Sequence, residues 1–162
     1  NRLLRLTLPG SRTTVLDWDQ YNRLASVTDP EGGVTTYTRD IRNNITEVRR
    51  VGKPGSSLAD IVQTAAYPAN CSATTLRICN QPLTVTDARG GVTDYTYDAS
   101  GNLLTVTGPA PTSGAPRPQT RYVWEQRYAW YKQNGSNEIT QAPSPVWVLV
   151  SQSECLTGAT CQ

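Results

Sequence analysis

The chain has 162 residues, with 15 Lys plus Arg against 13 Asp plus Glu. A net charge of +2 gives no argument for nucleic acid or an acidic membrane surface as partner. His, Met and Phe are absent, so the commonest general base and the commonest metal ligand are both missing. The length allows one ordinary domain with its own core, and the wealth of Thr, Gly, Pro, Val and Tyr favours strands and turns.

The sequence opens at Asn1 inside a repeat, not on Met, and reads as a piece of something longer. No signal peptide is visible, and the longest apolar run, 146–150, is far too short to span a membrane. An apolar residue, two others and a second apolar residue recur as Leu3/Leu6, Leu24/Val27, Ile45/Val48, Pro82/Val85 and Leu103/Val106. The steps are 21, 21, 37 and 21 residues, so one step holds an insertion of 16. Asn1, Asn22, Asn43, Asn80 and Gly101 share one register position. These two residue types best tolerate left-handed backbone, so the spacing predicts a hairpin loop with positive φ at Asn22, Asn43, Asn80 and Gly101. An aromatic–acid pair stands just before the loop in Trp18-Asp19 and Tyr97-Asp98; Arg39-Asp40 keeps the acid and Leu76-Arg77 keeps neither. An Asp here can accept bonds from its own loop amides. A second connection repeats as Asp29-Pro30-Glu31-Gly32-Gly33 and Asp87-Ala88-Arg89-Gly90-Gly91.

Four segments follow: hairpin repeats over 1–50, an insertion over 51–79, hairpin repeats over 80–109 and an atypical long hairpin over 110–162. Within the insertion, 58–66 reads as strand more than helix. After Val106 the register fades. A strand from Tyr122 is expected to run on through Tyr128, Trp130 and Tyr131, turn at Asn134-Gly135, and return as a buried strand over 146–150.

The four cysteines fall in two close pairs, Cys71 with Cys79 and Cys155 with Cys161. Two disulfides are the favoured reading and imply an oxidising compartment. A single four-thiolate zinc site competes, but neither pair has the C-x₂₋₄-C spacing usual for zinc.

The segment 95–106, Y-T-Y-D-A-S-G-N-L-L-T-V, resembles the signature Y-x-Y-D-x-x-G-N-L-x-x-V of the RHS/YD-repeat family, and 24–32 resembles its L-x-x-V-T-D-P-x-G element. The resemblance implies an all-β fold: tandem antiparallel β-hairpins with a period of about 21 residues, forming an open, curved, twisted sheet or solenoid segment. In this family such sheets close into shells that enclose a toxin, or occur in secreted and cell-surface proteins. The implied partners are flanking repeats or identical chains paired through β-edges, with an enclosed toxin or other cargo; no nucleic acid and no membrane span are expected. The implied location is secreted or on the bacterial surface. The family's P-x-x-x-x-D-P-x-G-L element, linked to self-cleavage, is not matched by the Asp29 turn.

Asp19, Asp40 and Asp98 repeat at one position, and Asp29 and Asp87 at another. Recurrence at every turn favours turn formers over a catalytic dyad, which needs one unique pair in a cleft. No enzyme activity and no cofactor or metal are expected. The arginines are expected to pair with Asp and Glu across strands. Trp124, Trp130, Tyr131 and Trp147 cluster in the atypical hairpin. Core packing, replacing the missing Phe and Met, is the favoured role. Contact with a glycan or a partner protein is the alternative, and the exposure of Trp130 and Trp147 separates the two.

Overall fold

The computed structural model describes residues 2–159 and Cys161. The expected loop position at Asn1 lies outside the described residues. The chain forms two compact units that divide between Thr93 and Asp94. The first is an antiparallel sheet of β1 (Arg5–Leu8), β2 (Arg12–Trp18), β3 (Leu24–Thr28), β4 (Val34–Arg39), β5 (Ile45–Arg50), β6 (Ile61–Ala66) and β7 (Thr84–Thr86) in sequence order. A single 3₁₀ turn, Leu76–Ile78, precedes β7. The second unit holds most of β8 (Val92–Tyr97), then β9 (Leu103–Thr107), β10 (Pro118–Arg127) and β13 (Val146–Leu156), again antiparallel neighbours in that order. Between β10 and β13, β11 (Trp130–Lys132) and β12 (Ile139–Gln141) pair as a separate small sheet. The fold is all-β and built of consecutive hairpins.

The strands follow from alternation of β-branched and aromatic residues with polar ones. Their twist has a visible cause. Four strand pairs slip register by one residue at the same repeat position: 17/18 in β2, 38/39 in β4, 96/97 in β8 and 123/124 in β10. The return strand carries the extra residue, at Ala25, Thr46, Leu104 and Val150. Such bulges bend a strand and increase its right-handed twist.

Neighbouring strands are also joined beyond their ladders. β3 pairs with β4 only over Ser26, Val27 and Thr28, and β9 with β10 only over Thr105, Val106 and Thr107. The start of each return strand therefore leaves a carbonyl outside the ladder. A side chain from the following hairpin fills the gap. Trp18 Nε1 donates to the Leu3 carbonyl at 2.8 Å and Trp124 Nε1 to the Leu103 carbonyl at 2.8 Å. At the equivalent place Arg39 Nη2 reaches the Leu24 carbonyl at 3.5 Å.

Among the described residues little of the expected core forms. Only Pro68, Cys79, 5% exposed, and Thr107, 8% exposed, are buried there. Contacts run between neighbouring strands, and without a second layer a sheet face is at best half-covered. The insertion is also more than a loop, because β6 pairs with β5 and with β7 inside the first sheet. In the atypical hairpin, β10 stops at Arg127, and Trp130 and Tyr131 belong to the separate β11–β12 pair. The expected buried return strand is exposed along residues 146–150, which pair with the distal part of β10, beyond the residues of β10 that pair with β9.

Candidate functional site

The most developed local chemistry is a turn that appears five times. In each, an Asp carbonyl accepts the amide three residues on, and the Asp amide donates to the carbonyl four residues on. The first bond runs from Asn22 to Asp19, Gly32 to Asp29, Asn43 to Asp40, Gly90 to Asp87 and Gly101 to Asp98, at 3.0–3.1 Å. The second bond in these turns is 2.9–3.0 Å long. The residue donating the first bond takes positive φ every time: 62° at Asn22, 83° at Gly32, 73° at Asn43, 82° at Gly90 and 87° at Gly101. This is a type I turn closed by a left-handed residue, a common three-residue hairpin loop.

The Asp side chain locks the turn. Its Oδ1 accepts the amides two and four residues on: Tyr21 and Arg23 for Asp19, Arg42 and Asn44 for Asp40, Ser100 and Asn102 for Asp98. Asp29 and Asp87 repeat the pattern with Glu31 and Gly33, and with Arg89 and Gly91. The two families of turn differ at Oδ2. At Asp19, Asp40 and Asp98 it accepts a side-chain donor from Arg23, Asn44 or Asn102 at 2.6–2.8 Å. At Asp29 and Asp87 the second glycine leaves room for it, since a Cβ on Gly33 or Gly91 would lie 2.5 or 2.8 Å from that oxygen. Burial alone would raise the carboxyls of Asp19, Asp40 and Asp98. The hydrogen bonds they accept outweigh it and hold all three below the usual carboxylate range.

Asn80 departs from the expected geometry and is not in the left-handed region. The position three residues earlier is Arg77, so no Asp clamp can form there. The chain instead turns through Leu76–Ile78 and closes with Gln81 N donating to Ile78 O at 2.8 Å. A cheap test follows for Asn43. Asn43→Val, forcing a β-branched residue to φ 73°, is expected to lose about 1–2 kcal/mol in urea unfolding, while Asn43→Gly stays within a few tenths. Equal stability of the two variants would refute the backbone requirement.

The cysteines are joined as Cys71–Cys79 and Cys155–Cys161, with Cα separations of 5.5 and 4.7 Å. Among the described residues no group of three or more His, Cys, Asp or Glu is placed to hold a metal ion. Arg42, from the Asp40 turn, grips the segment before the first bridge, donating to the Pro68 carbonyl at 2.5 Å and the Ala69 carbonyl at 3.3 Å. Sequence reasoning did not find this contact. Several arginines pair with acids, among them Arg12–Glu31, Arg49–Glu47 and Arg49–Asp60.

The four aromatic candidates separate. Trp124 is half-buried and donates to the Leu103 carbonyl, as described above. Trp130 is 65% exposed and Trp147 40% exposed, and Tyr131 is exposed as well, so core packing does not account for them. The local signal that marks Trp124 is its place in the repeat, equivalent to Trp18 and Tyr97. Trp130 and Trp147 have no such register.

Clamped hairpins following one another in sequence order define a protein made of β-hairpin repeats. The sequence profile of the RHS Repeat family matches residues 1–34, 18–53 and 80–113, together more than half of the chain. The chain belongs to the RHS repeat family. It is similar in fold to the crystal structure of TcdB2-TccC3-Cdc42 and to that of TcdB2-TccC3 without its hypervariable C-terminal region. Each superposes with a TM-score of 0.57 at 18% identity, over 73% of this chain and 5% of theirs. The chain thus spans about one-twentieth of those proteins. No curated protein matches it in sequence.

Proposed function

We propose that this chain is a structural module that builds a β-sheet wall, in a shell or a fibre, by edge-to-edge stacking of hairpins. The observation that carries this reading is the recurrence of one clamped turn five times, in which each Asp Oδ1 is committed to backbone amides of its own loop. Uncovered strand edges add to it. Among the described residues β1 and β13 each pair on one side only, and β13 presents an 11-residue edge whose first eight residues carry no charge. An edge this long and apolar invites another strand. Its partner is a flanking repeat or an identical chain, and the wall encloses a toxin or other cargo, as family shells do. Two disulfides favour a secreted or bacterial-surface location. Light scattering is expected to show a mass that rises with concentration, and Val148→Lys on the edge strand is expected to suppress the rise. A monomer at every concentration would sink the proposal.

A second reading is an adhesin-like module, favoured by the exposure of Trp130, Tyr131 and Trp147 on the terminal hairpin. Sugar rings stack on such faces. Glycan binding followed by tryptophan fluorescence should disappear in the Trp130→Ala/Trp147→Ala double variant. An unchanged titration in that variant would remove this reading.

A further inference from the structure

The insertion after β5 does something the repeats do not: it folds residues 51–60 back beside the sheet and encloses a groove of about 660 Å³ in the first unit. The fold-back is well anchored. Val51 N donates to Val34 O at 2.9 Å, and Asp60 accepts Gly52 N at 2.9 Å and Arg49 Nη1 at 2.8 Å. Gly52 lies so close to the Leu58 carbonyl that a Cβ there would collide with it. The floor follows from sheet register. Val27 stands opposite Thr35, Thr35 opposite Arg50, and Arg50 opposite Ile61, so the four share one face in a row across β3 to β6. Tyr37, Val34 and Leu58 complete the apolar lining.

Three features narrow the occupant. First, the lip is apolar and uncovered, with Leu58 72% and Ile61 54% exposed. Second, Arg50 and Lys53 both line the groove and neither is in an ion pair among the described residues. The one acid in the lining, Asp29, has its Oδ1 committed to the amides of Glu31 and Gly33. The charge balance of the site therefore favours an anion. Third, β3, β4 and β5 are interior strands, each paired on both sides. An extended peptide laid across them would find no free ladder groups for its own amides, and amides left without partners are costly. An acyl chain has no such groups to satisfy. The volume also falls within the range of small-molecule sites.

We infer that this groove binds a single amphipathic anion, an acyl chain ending in a carboxylate. The chain lies along Val27, Leu58 and Ile61, and the head meets Arg50 and Lys53. Calorimetric titration of the full chain with decanoate, below its micelle-forming concentration, tests it. The expected result is one saturable site per chain, weakened at least tenfold by Arg50→Gln/Lys53→Gln and again by Leu58→Asp, with no matching site for decyltrimethylammonium. All three positions lie at the surface, and an unchanged circular dichroism spectrum checks that the variants fold. The inference is overturned by any of four outcomes: no saturable binding, equal binding of decanoate, decanol and decyltrimethylammonium, parent-like affinity in both variants, or an acidic apolar peptide that saturates the groove and resists decanoate.

Discussion

Removing the first disulfide with Cys71→Ala/Cys79→Ala is expected to lower the free energy of unfolding by about 2–3 kcal/mol. The two cysteines are eight residues apart in sequence, and closing a loop this short removes freedom mainly from the unfolded chain. The loss matters more here than in a protein with a two-layer core. Cys79 is one of only three buried positions among the described residues, with Pro68 and Thr107, so little other burial compensates. The bridge also fixes the turn that delivers the chain from β6 to β7, and Arg42 holds the near side of that turn through the Pro68 and Ala69 carbonyls. Urea unfolding of parent and variant, each with the Cys155–Cys161 bridge intact, measures the difference. A change below about 0.5 kcal/mol, within the range of an ordinary surface substitution, would show that the insertion is held by its strand pairing alone.

The second large effect belongs to the turn clamp. Asp40→Ala strands two loop amides and the Asn44 side chain, and a lost cap of this kind costs about 1–2 kcal/mol at neutral pH. The effect depends on pH with a definite sign. The folded-state carboxyls of Asp19, Asp40 and Asp98 sit below the value near 3.9 expected of an unfolded Asp. Their contribution is therefore fully present above about pH 4 and is lost as pH falls through the lowered folded values. The stability gap between parent and Asp40→Ala should narrow below about pH 4. Asp40→Asn keeps an acceptor for the loop amides, so it should lose less at neutral pH and show a flatter acid limb. A gap that is constant down to pH 2 would mean that the carboxylate charge plays no part in the turn.

The bonds that close and clamp the turn at Asp40 run among residues 40–44. Its hydrogen bonds and its left-handed residue are specified by neighbours in the chain, so the pattern Asp-x-x-Asn or Asp-x-x-Gly announces it. The same logic explains Asn80, where Arg77 replaces the acid and the turn takes another form. That outcome was legible too, had the Asp and the Asn been read as one unit. The exposure of Trp130 and Trp147 was not legible. Strand alternation says that a side chain points to one face or the other, but not whether anything covers that face.

The hairpin period, the family resemblance and the loops around Asp19, Asp40 and Asp98 can be read from the chain alone, and the close spacing of the cysteines favours their pairing. Each depends on interactions spanning a few residues, or on a period that can be counted. The fold adds that β6 pairs with β5 and β7, that Trp18 and Trp124 bond the Leu3 and Leu103 carbonyls, that little burial occurs among the described residues, and that residues 51–60 enclose a groove over β3 to β6. Those features depend on which distant strands lie side by side. Burial and side-chain partners are set by that arrangement, and a local pattern of apolar and polar residues does not contain it.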